Sequence, residues 1–292
     1  MKKSLLTILL AGAISLPLYA QTQEKNNTES ENYLIKGDVE IKISRERDTL
    51  KLKDWKYINR IVNEVAKRDE EYLHENTARI GIFKDETVLK SKIIKDLKVR
   101  THTYGIDSLF FKEHYSQINE LSLNQNKVIY LMLTSLRDSS FVNKIGRIIE
   151  GDIKNKYSES GGVVNFVEKN KINLKPVESE LSKLRDERNN IEYQLPSEDY
   201  LSKKIAHFHM HASEYDETLS AGLGIKEILT LARSSILFGR INEFIITSLK
   251  KGEFNVDYVG VDPEKDKKIR IIDLGNYFYD TSDIKYALKI FK

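Results

Sequence analysis

Apolar positions along this chain recur at two spacings, one typical of helices and one typical of strands. After Asp54, the apolar residues Trp55, Ile58, Ile61 and Val65 fall every three or four positions. This spacing predicts an amphipathic helix with Asp54 as its N-cap. Further helices are predicted near 88–97 and 128–136, with a short strand at 38–43 and one or two short strands between 79 and 140.

The second half of the chain alternates helix and strand patterns more regularly. Apolar residues at 141, 145, 148, 149 and 153 share one helical face, and a Gly161-Gly162 turn then leads into a buried strand near 163–166. Residues 205–212 alternate as a strand, and 225–238 have helical spacing. The strongly charged stretch 177–193 predicts a solvated helix or hairpin. Three strand-like runs follow, at 244–248, 254–261 and 269–274.

The first twenty residues have the pattern of a secretory signal peptide. Met1-Lys2-Lys3 precede an apolar run that ends before Tyr19-Ala20, where a signal peptidase would cut. The apolar run is shorter than a membrane span, and a polar tract follows it. We therefore expect an exported protein, periplasmic or secreted, with no stable membrane span after signal removal; a retained amino-terminal anchor is the alternative.

Composition limits the chemistry that is available. No cysteine occurs among the 292 residues, which excludes disulfides, thiol nucleophiles and thiolate metal sites. A net charge of +3, with 31% charged residues and no basic block, argues against nucleic acid as a main partner. Length allows one large domain or two small ones.

Three of the six histidines, His207, His209 and His211, lie within five residues on the predicted strand at 205–212. Side chains at every second position of a strand point to the same face. Two imidazoles spaced i and i+2 can hold one divalent ion from a single element, so this cluster predicts a metal site. Partly buried, hydrogen-bonded histidines or a chance cluster on an exposed strand are the alternatives.

A hydrolytic zinc site needs three protein ligands, an open position for water and a nearby carboxylate that accepts a proton. Acidic residues flank the histidine cluster on both sides. Glu159 precedes the two glycines, whose missing side chains allow another backbone or a substrate to approach closely. Asp216, Glu217 and Glu227 follow the histidine strand, although each acidic residue taken alone is more often a surface charge.

These parts follow one another in a particular order: the helix, then Glu159-x-Gly161-Gly162, then the His209-x-His211 strand about 50 residues later. This order resembles that of the JAB/MPN family, the JAMM metalloproteases. In that family a glutamate acts as general base, the His-x-His pair binds zinc, and a Ser-x-x-Asp segment supplies an oxyanion-stabilising hydroxyl and the third ligand. The resemblance therefore assigns the base to Glu159 and two zinc ligands to His209 and His211. It covers roughly 141–277, about half of the mature chain.

The last part of the motif departs from the family. Gly224 stands where the serine would be, Glu227 where the aspartate would be, and Ala212 where proline is usual. Glu227 is the expected third ligand and Asp216 the second choice. Losing one oxyanion donor costs about 10²- to 10³-fold in rate if nothing replaces it. His207 has no role in the motif. Three roles are open for it: pairing with carboxylates of the metal site, serving as an additional metal ligand, or only packing against its neighbours.

The resemblance implies an α/β fold with a mixed, curved sheet flanked by helices, preceded by a mostly helical amino-terminal region. The expected organisation is a signal peptide at 1–20, a polar linker at 21–37, a helical region at 38–137 and a JAB/MPN-like metallohydrolase domain at 138–292. The expected activity is zinc-dependent hydrolysis of a peptide or isopeptide amide by metal-activated water, with a peptide or protein as substrate. A catalytically silent MPN-like binding module and a metal-binding exported protein are the alternatives.

Overall fold

The computed structural model describes residues 52–101, 114–154, 160–168, 171–177, 202–211, 241–261 and 269–282. Helices occupy the first part of the described chain, together with one 3-10 turn at Gly81–Lys84. The helices are α1 (Leu52–Thr77), α2 (Glu86–Leu97), α3 (His114–Glu120), α4 (Leu123–Ser135) and α5 (Ser139–Lys154). No helix among these residues is both long and apolar enough to cross a membrane.

Local capping explains where two of the helices begin. The Asp85 side chain accepts a hydrogen bond from the backbone N–H of Val88, which caps α2. Ser122 and Gln125 form a reciprocal capping box at the start of α4. Each cap satisfies backbone N–H groups that a helix leaves without intrahelical partners, so both helices start at defined positions.

The helices predicted near 88–97, 128–136 and 141–153 are confirmed as parts of α2, α4 and α5. The prediction that Asp54 is the N-cap is wrong, because α1 already includes Leu52. The strands predicted between 79 and 140 do not occur in the described parts of that range, which are helical apart from turns. The predicted signal peptide, the linker, the strand at 38–43 and the helix at 225–238 lie outside the described residues.

Within the described residues, six strands form one mixed sheet in the order β2-β1-β3-β4-β5-β6. Neighbouring strands are antiparallel except for β3 and β4, which are parallel. The strands are β1 (Gly161–Glu168), β2 (Lys171–Val177), β3 (Ala206–His211), β4 (Ile241–Lys250), β5 (Glu253–Val261) and β6 (Ile269–Phe278). The expected mixed α/β class is therefore confirmed, and so are all the strands predicted after residue 160; β2 was not predicted.

One face of this sheet is apolar and packs against the helices. Phe208 and Met210 of β3 and Phe244 of β4 are fully buried there. They belong to the same hydrophobic core as Leu89 and Ile93 of α2. The core therefore runs without interruption from the predicted helical region into the predicted metallohydrolase domain.

The opposite face, called the polar face below, carries the alternate side chains of the same strands. The strand register sets them in rows across the sheet. One row is His209, Ile245, Asp257 and Asp273, and the next is His211, Thr247, Asn255 and Asn276. A third row begins with His207 and Glu243. Two-residue alternation thus places the histidines, Glu243 and the paired aspartates on the side of the sheet opposite the hydrophobic core.

Candidate functional site

The two histidines of the His209-x-His211 pair converge at their ring tips. Their Nε2 atoms are 3.1 Å apart and their ring centroids 4.9 Å apart, with the rings tilted by 52°. Side chains at i and i+2 of a strand share a face, so the strand itself aims both rings to the same side. The predicted convergence of these two imidazoles is therefore present in the structure.

Glu243 of β4 orients the first of these rings. Its Oε1 lies 2.8 Å from Nδ1 of His209, and both side chains are largely buried. An ionised carboxylate only accepts hydrogen bonds, so Nδ1 of His209 is the protonated nitrogen that donates to it. In neutral His209 the Nε2 atom then carries a lone pair, which is the form that binds a metal.

The spacing of the two Nε2 atoms suits a shared metal ion. Zinc–nitrogen bonds are about 2.0–2.1 Å long, and two such bonds at a tetrahedral angle hold the nitrogens about 3.3–3.4 Å apart. The observed separation is 3.1 Å. His209 and His211 therefore fit two positions of a zinc site with only a small adjustment of their side chains.

His207 lies on the same face but in a different environment. Burial lowers the pKa of His207 well below its usual value, and the nearby Lys204 ammonium lowers it further. Lys204 is itself buried and pairs with Asp69 at 3.0 Å. His207 is therefore a neutral imidazole near neutral pH.

Asp152, near the end of α5, is a residue that the sequence reasoning missed. It is 3% exposed, and the hydroxyl and backbone N–H of Ser160 both hydrogen-bond to its carboxylate. Burial raises the pKa of Asp152 to about 6, although Ser160 and the charges of His211 and His209 oppose this shift. Within the described residues, its Oδ1 atom has no hydrogen-bond partner.

A signal for Asp152 was present in the sequence. It follows Ile145 and Ile149 on the buried stripe of α5, a position where an acidic residue is costly unless it has partners. The backbone carbonyl of Ser160 also accepts a hydrogen bond from the Met210 N–H at 2.8 Å. Ser160 therefore connects the carboxylate of Asp152 to the histidine strand.

Gly162 confirms the expectation that the glycines permit a close approach of backbone. A Cβ atom at this position would overlap the carbonyl oxygen of Lys175 on β2. Gly161 pairs with His209 on the other side of β1. The close neighbour of Gly162 is thus a strand of the same sheet.

The remaining predicted site residues lie outside the described part of the chain: Glu159, Ala212, Asp216, Glu217, Gly224 and Glu227. Within the described part, no three His, Asp or Glu side chains are arranged to hold a metal ion. His209 and His211, with Glu243 behind His209, are therefore the portion of the candidate metal centre that the structure describes.

Comparison with known proteins adds no assignment: no family model, curated protein or solved structure matches this chain.

Proposed function

We propose that this protein is an exported zinc-dependent hydrolase that cleaves a peptide or isopeptide amide bond, in the manner of the JAB/MPN metalloproteases. The observation that carries the proposal is the pair of Nε2 atoms at 3.1 Å, one of them on a ring held by Glu243. A carboxylate behind a ligating histidine is the usual companion of a metal-binding imidazole, because it selects the tautomer and raises the ring's basicity.

The order of elements supports the same proposal. Helix α5 leads into β1, β1 lies beside the histidine strand β3, and β3 runs parallel to β4. This is the helix, strand and histidine-strand sequence on which the JAB/MPN resemblance rests. The described sheet is compatible with that family's mixed sheet flanked by helices.

In the proposed reaction His209 and His211 hold the zinc ion together with Glu227. When bound, zinc would act as a Lewis acid and would lower the pKa of water towards 7. Glu159 accepts a proton from the attacking water and later delivers it to the leaving amine. Glu243 keeps His209 in the tautomer that binds metal. A cell-envelope peptide or a secreted protein is the natural substrate class for an exported enzyme.

Metal content and activity, measured together, test the proposal. The full chain is purified without chelators and reconstituted with zinc, beside His209→Ala, Glu159→Gln and the control His74→Ala, which changes an exposed histidine of α1. We expect one zinc per chain in wild type, Glu159→Gln and His74→Ala, and none in His209→Ala. Amide hydrolysis on a peptide library should require both His209 and Glu159.

The same experiment separates the competing functions. The chain has Gly224 and Glu227 where the family has serine and aspartate, and these departures favour a catalytically silent module that binds a partner protein. Such a module needs the fold but not the metal, so a metal-free wild type after reconstitution would refute the hydrolase and leave the binding module as the better account. Zinc binding without hydrolysis of any library peptide would favour the metal-binding exported protein instead.

A further inference from the structure

A second polar cluster lies on the polar face, two strands away from the histidine pair. Asp257 of β5 and Asp273 of β6 are direct cross-strand partners, and a bulge in the register lies beside them. Asn255 occupies the next row on the same face. Two strand spacings place Asp257 about 10 Å from His209 across the sheet. The cluster is therefore separate from the histidine pair.

Hydrogen bonds hold the cluster in a defined arrangement. The backbone N–H of Gly275 donates to Oδ1 of Asp273 at 2.7 Å. The Nδ2 atom of Asn255 donates to the same oxygen at 2.9 Å and to Oδ1 of Asn276, also at 2.9 Å. The amide of Asn255 is thus held beside the carboxylate of Asp273, and both N–H groups of its nitrogen donate hydrogen bonds.

Several oxygen atoms of this cluster are buried and accept no hydrogen bond from the described residues. Asn255 is 0% exposed and Asp257 is 4% exposed. In the part of the chain that the structure describes, Oδ1 of Asn255 and Oδ2 of Asp257 accept no hydrogen bond. The Oγ1 atom of Thr247, the cross-strand partner of Asn255, is also buried and has no partner there. Buried polar atoms normally have partners, so this concentration of acceptors needs an explanation.

Two buried carboxyl groups placed opposite each other repel when both are ionised. Burial, and then the charge of Asp273, raise the pKa of Asp257 well above its usual range. A proton shared by the two carboxyls would relieve the repulsion but would leave the amide oxygen of Asn255 without a partner. A bound cation would relieve the repulsion and also use the oxygen of Asn255.

We infer that Asp257, Asp273 and Asn255 bind a hard divalent cation, of the class of Ca²⁺ or Mg²⁺. Every donor in the set is an oxygen, which hard cations prefer, whereas the imidazole pair suits zinc. Only two of the donors are acidic, so neutral oxygens, among them Oγ1 of Thr247, and water complete the coordination. The inference does not depend on the proposed hydrolase, because it uses other residues and another class of metal.

Calcium and magnesium titrations of the full chain test this site. Chelator-treated, dialysed protein is titrated calorimetrically with CaCl₂ or MgCl₂ at pH 7.5, and its thermal unfolding is followed with and without 5 mM of the same salt. We expect saturable binding of one ion per chain. A dissociation constant of about 0.1 mM would raise Tm by about 5 °C or more at that concentration.

Asp257→Asn should abolish this response while leaving the cation-free Tm unchanged or higher, because it removes carboxyl repulsion. Asn255→Ser, which lacks the amide oxygen, should weaken binding at least tenfold and serves if Asp257→Asn does not fold. The control His209→Ala, at the other site, should bind the cation like wild type. No saturable binding of either ion up to 10 mM by wild type would overturn the inference and leave a shared proton. Unchanged binding in Asp257→Asn would also overturn it.

Discussion

Replacing Glu243 by glutamine removes a negative charge from the histidine pair and keeps an oxygen that can accept a hydrogen bond. The carboxylate lies 2.8 Å from Nδ1 of His209, so a metal ion bound at Nε2 on the far side of the ring would be about 7 Å from that charge. At this distance the attraction between the charge and a divalent ion is about 2–5 kcal/mol for an effective dielectric constant of about 20–40.

Both side chains are only 14–16% exposed, so solvent screens the charge little, and the lower end of this range, about 2 kcal/mol, is the smallest loss that we expect. That energy corresponds to zinc affinity about 30-fold weaker than wild type, within the range typical of residues that support metal ligands. A competition titration against a chromogenic chelator measures the change. Glu71→Gln, which alters an exposed glutamate of α1, is the matched control and should leave affinity unchanged. Equal zinc affinity in wild type and Glu243→Gln would refute the orienting role of Glu243.

Three further predictions concern stability, each measured by urea unfolding. Gly162→Ala should cost about 1–3 kcal/mol, since its Cβ would overlap the Lys175 carbonyl. Gly151→Ala meets no atom within 4 Å and should be neutral or stabilising, so equal effects of the two substitutions would contradict the close strand approach. Asp69→Asn should cost about 2–4 kcal/mol of unfolding free energy, because it leaves the buried ammonium of Lys204 without its counter-charge. Lys204→Met should cost less, and a larger loss in Lys204→Met than in Asp69→Asn would contradict a buried ion pair. Without added cations, the Asp257 carboxyl should contribute a fall in wild-type stability as pH rises above about 4, by up to about 1.4 kcal/mol per pH unit, because its raised pKa lets the native state keep a proton that the unfolded state has lost. This fall should be smaller in Asp257→Asn, and an identical pH profile in the two proteins would show that the Asp257 carboxyl does not hold that proton.

Secondary structure was predictable where the pattern of apolar residues is local and complete. The runs at 244–248, 254–261 and 269–274 each lie within one strand of the sheet. Strand β2 was missed because only Ile172 and Leu174 are buried in it and Pro176 interrupts its pattern. Proline is tolerated there because β2 lies at one edge of the sheet that the described residues form, and edge position is a property of the assembled sheet.

Only the part of the candidate site that lies on a single strand was predictable from the sequence. The alternation of His207, His209 and His211 is visible in five residues, and their common face follows from strand geometry. Glu243 reaches His209 because β4 pairs in parallel with β3, 34 residues away in the chain. No local pattern encodes that pairing, so the orienting carboxylate could not be assigned from the sequence.

The apolar face of the sheet determines the geometry of the polar face. A one-residue slip of β3 would turn Phe208 and Met210 out of the core and turn the histidines into it. Exposing each of these apolar side chains costs about 1.5–3 kcal/mol, and burying imidazoles among apolar groups costs more. The register that aligns His209 with Asp257 and His211 with Asn255 is therefore enforced by residues that do no chemistry. It follows that substitutions at Phe208 or Met210 should disturb metal binding through folding, whereas substitutions at His209 or His211, whose side chains are not part of the hydrophobic core, should disturb it directly.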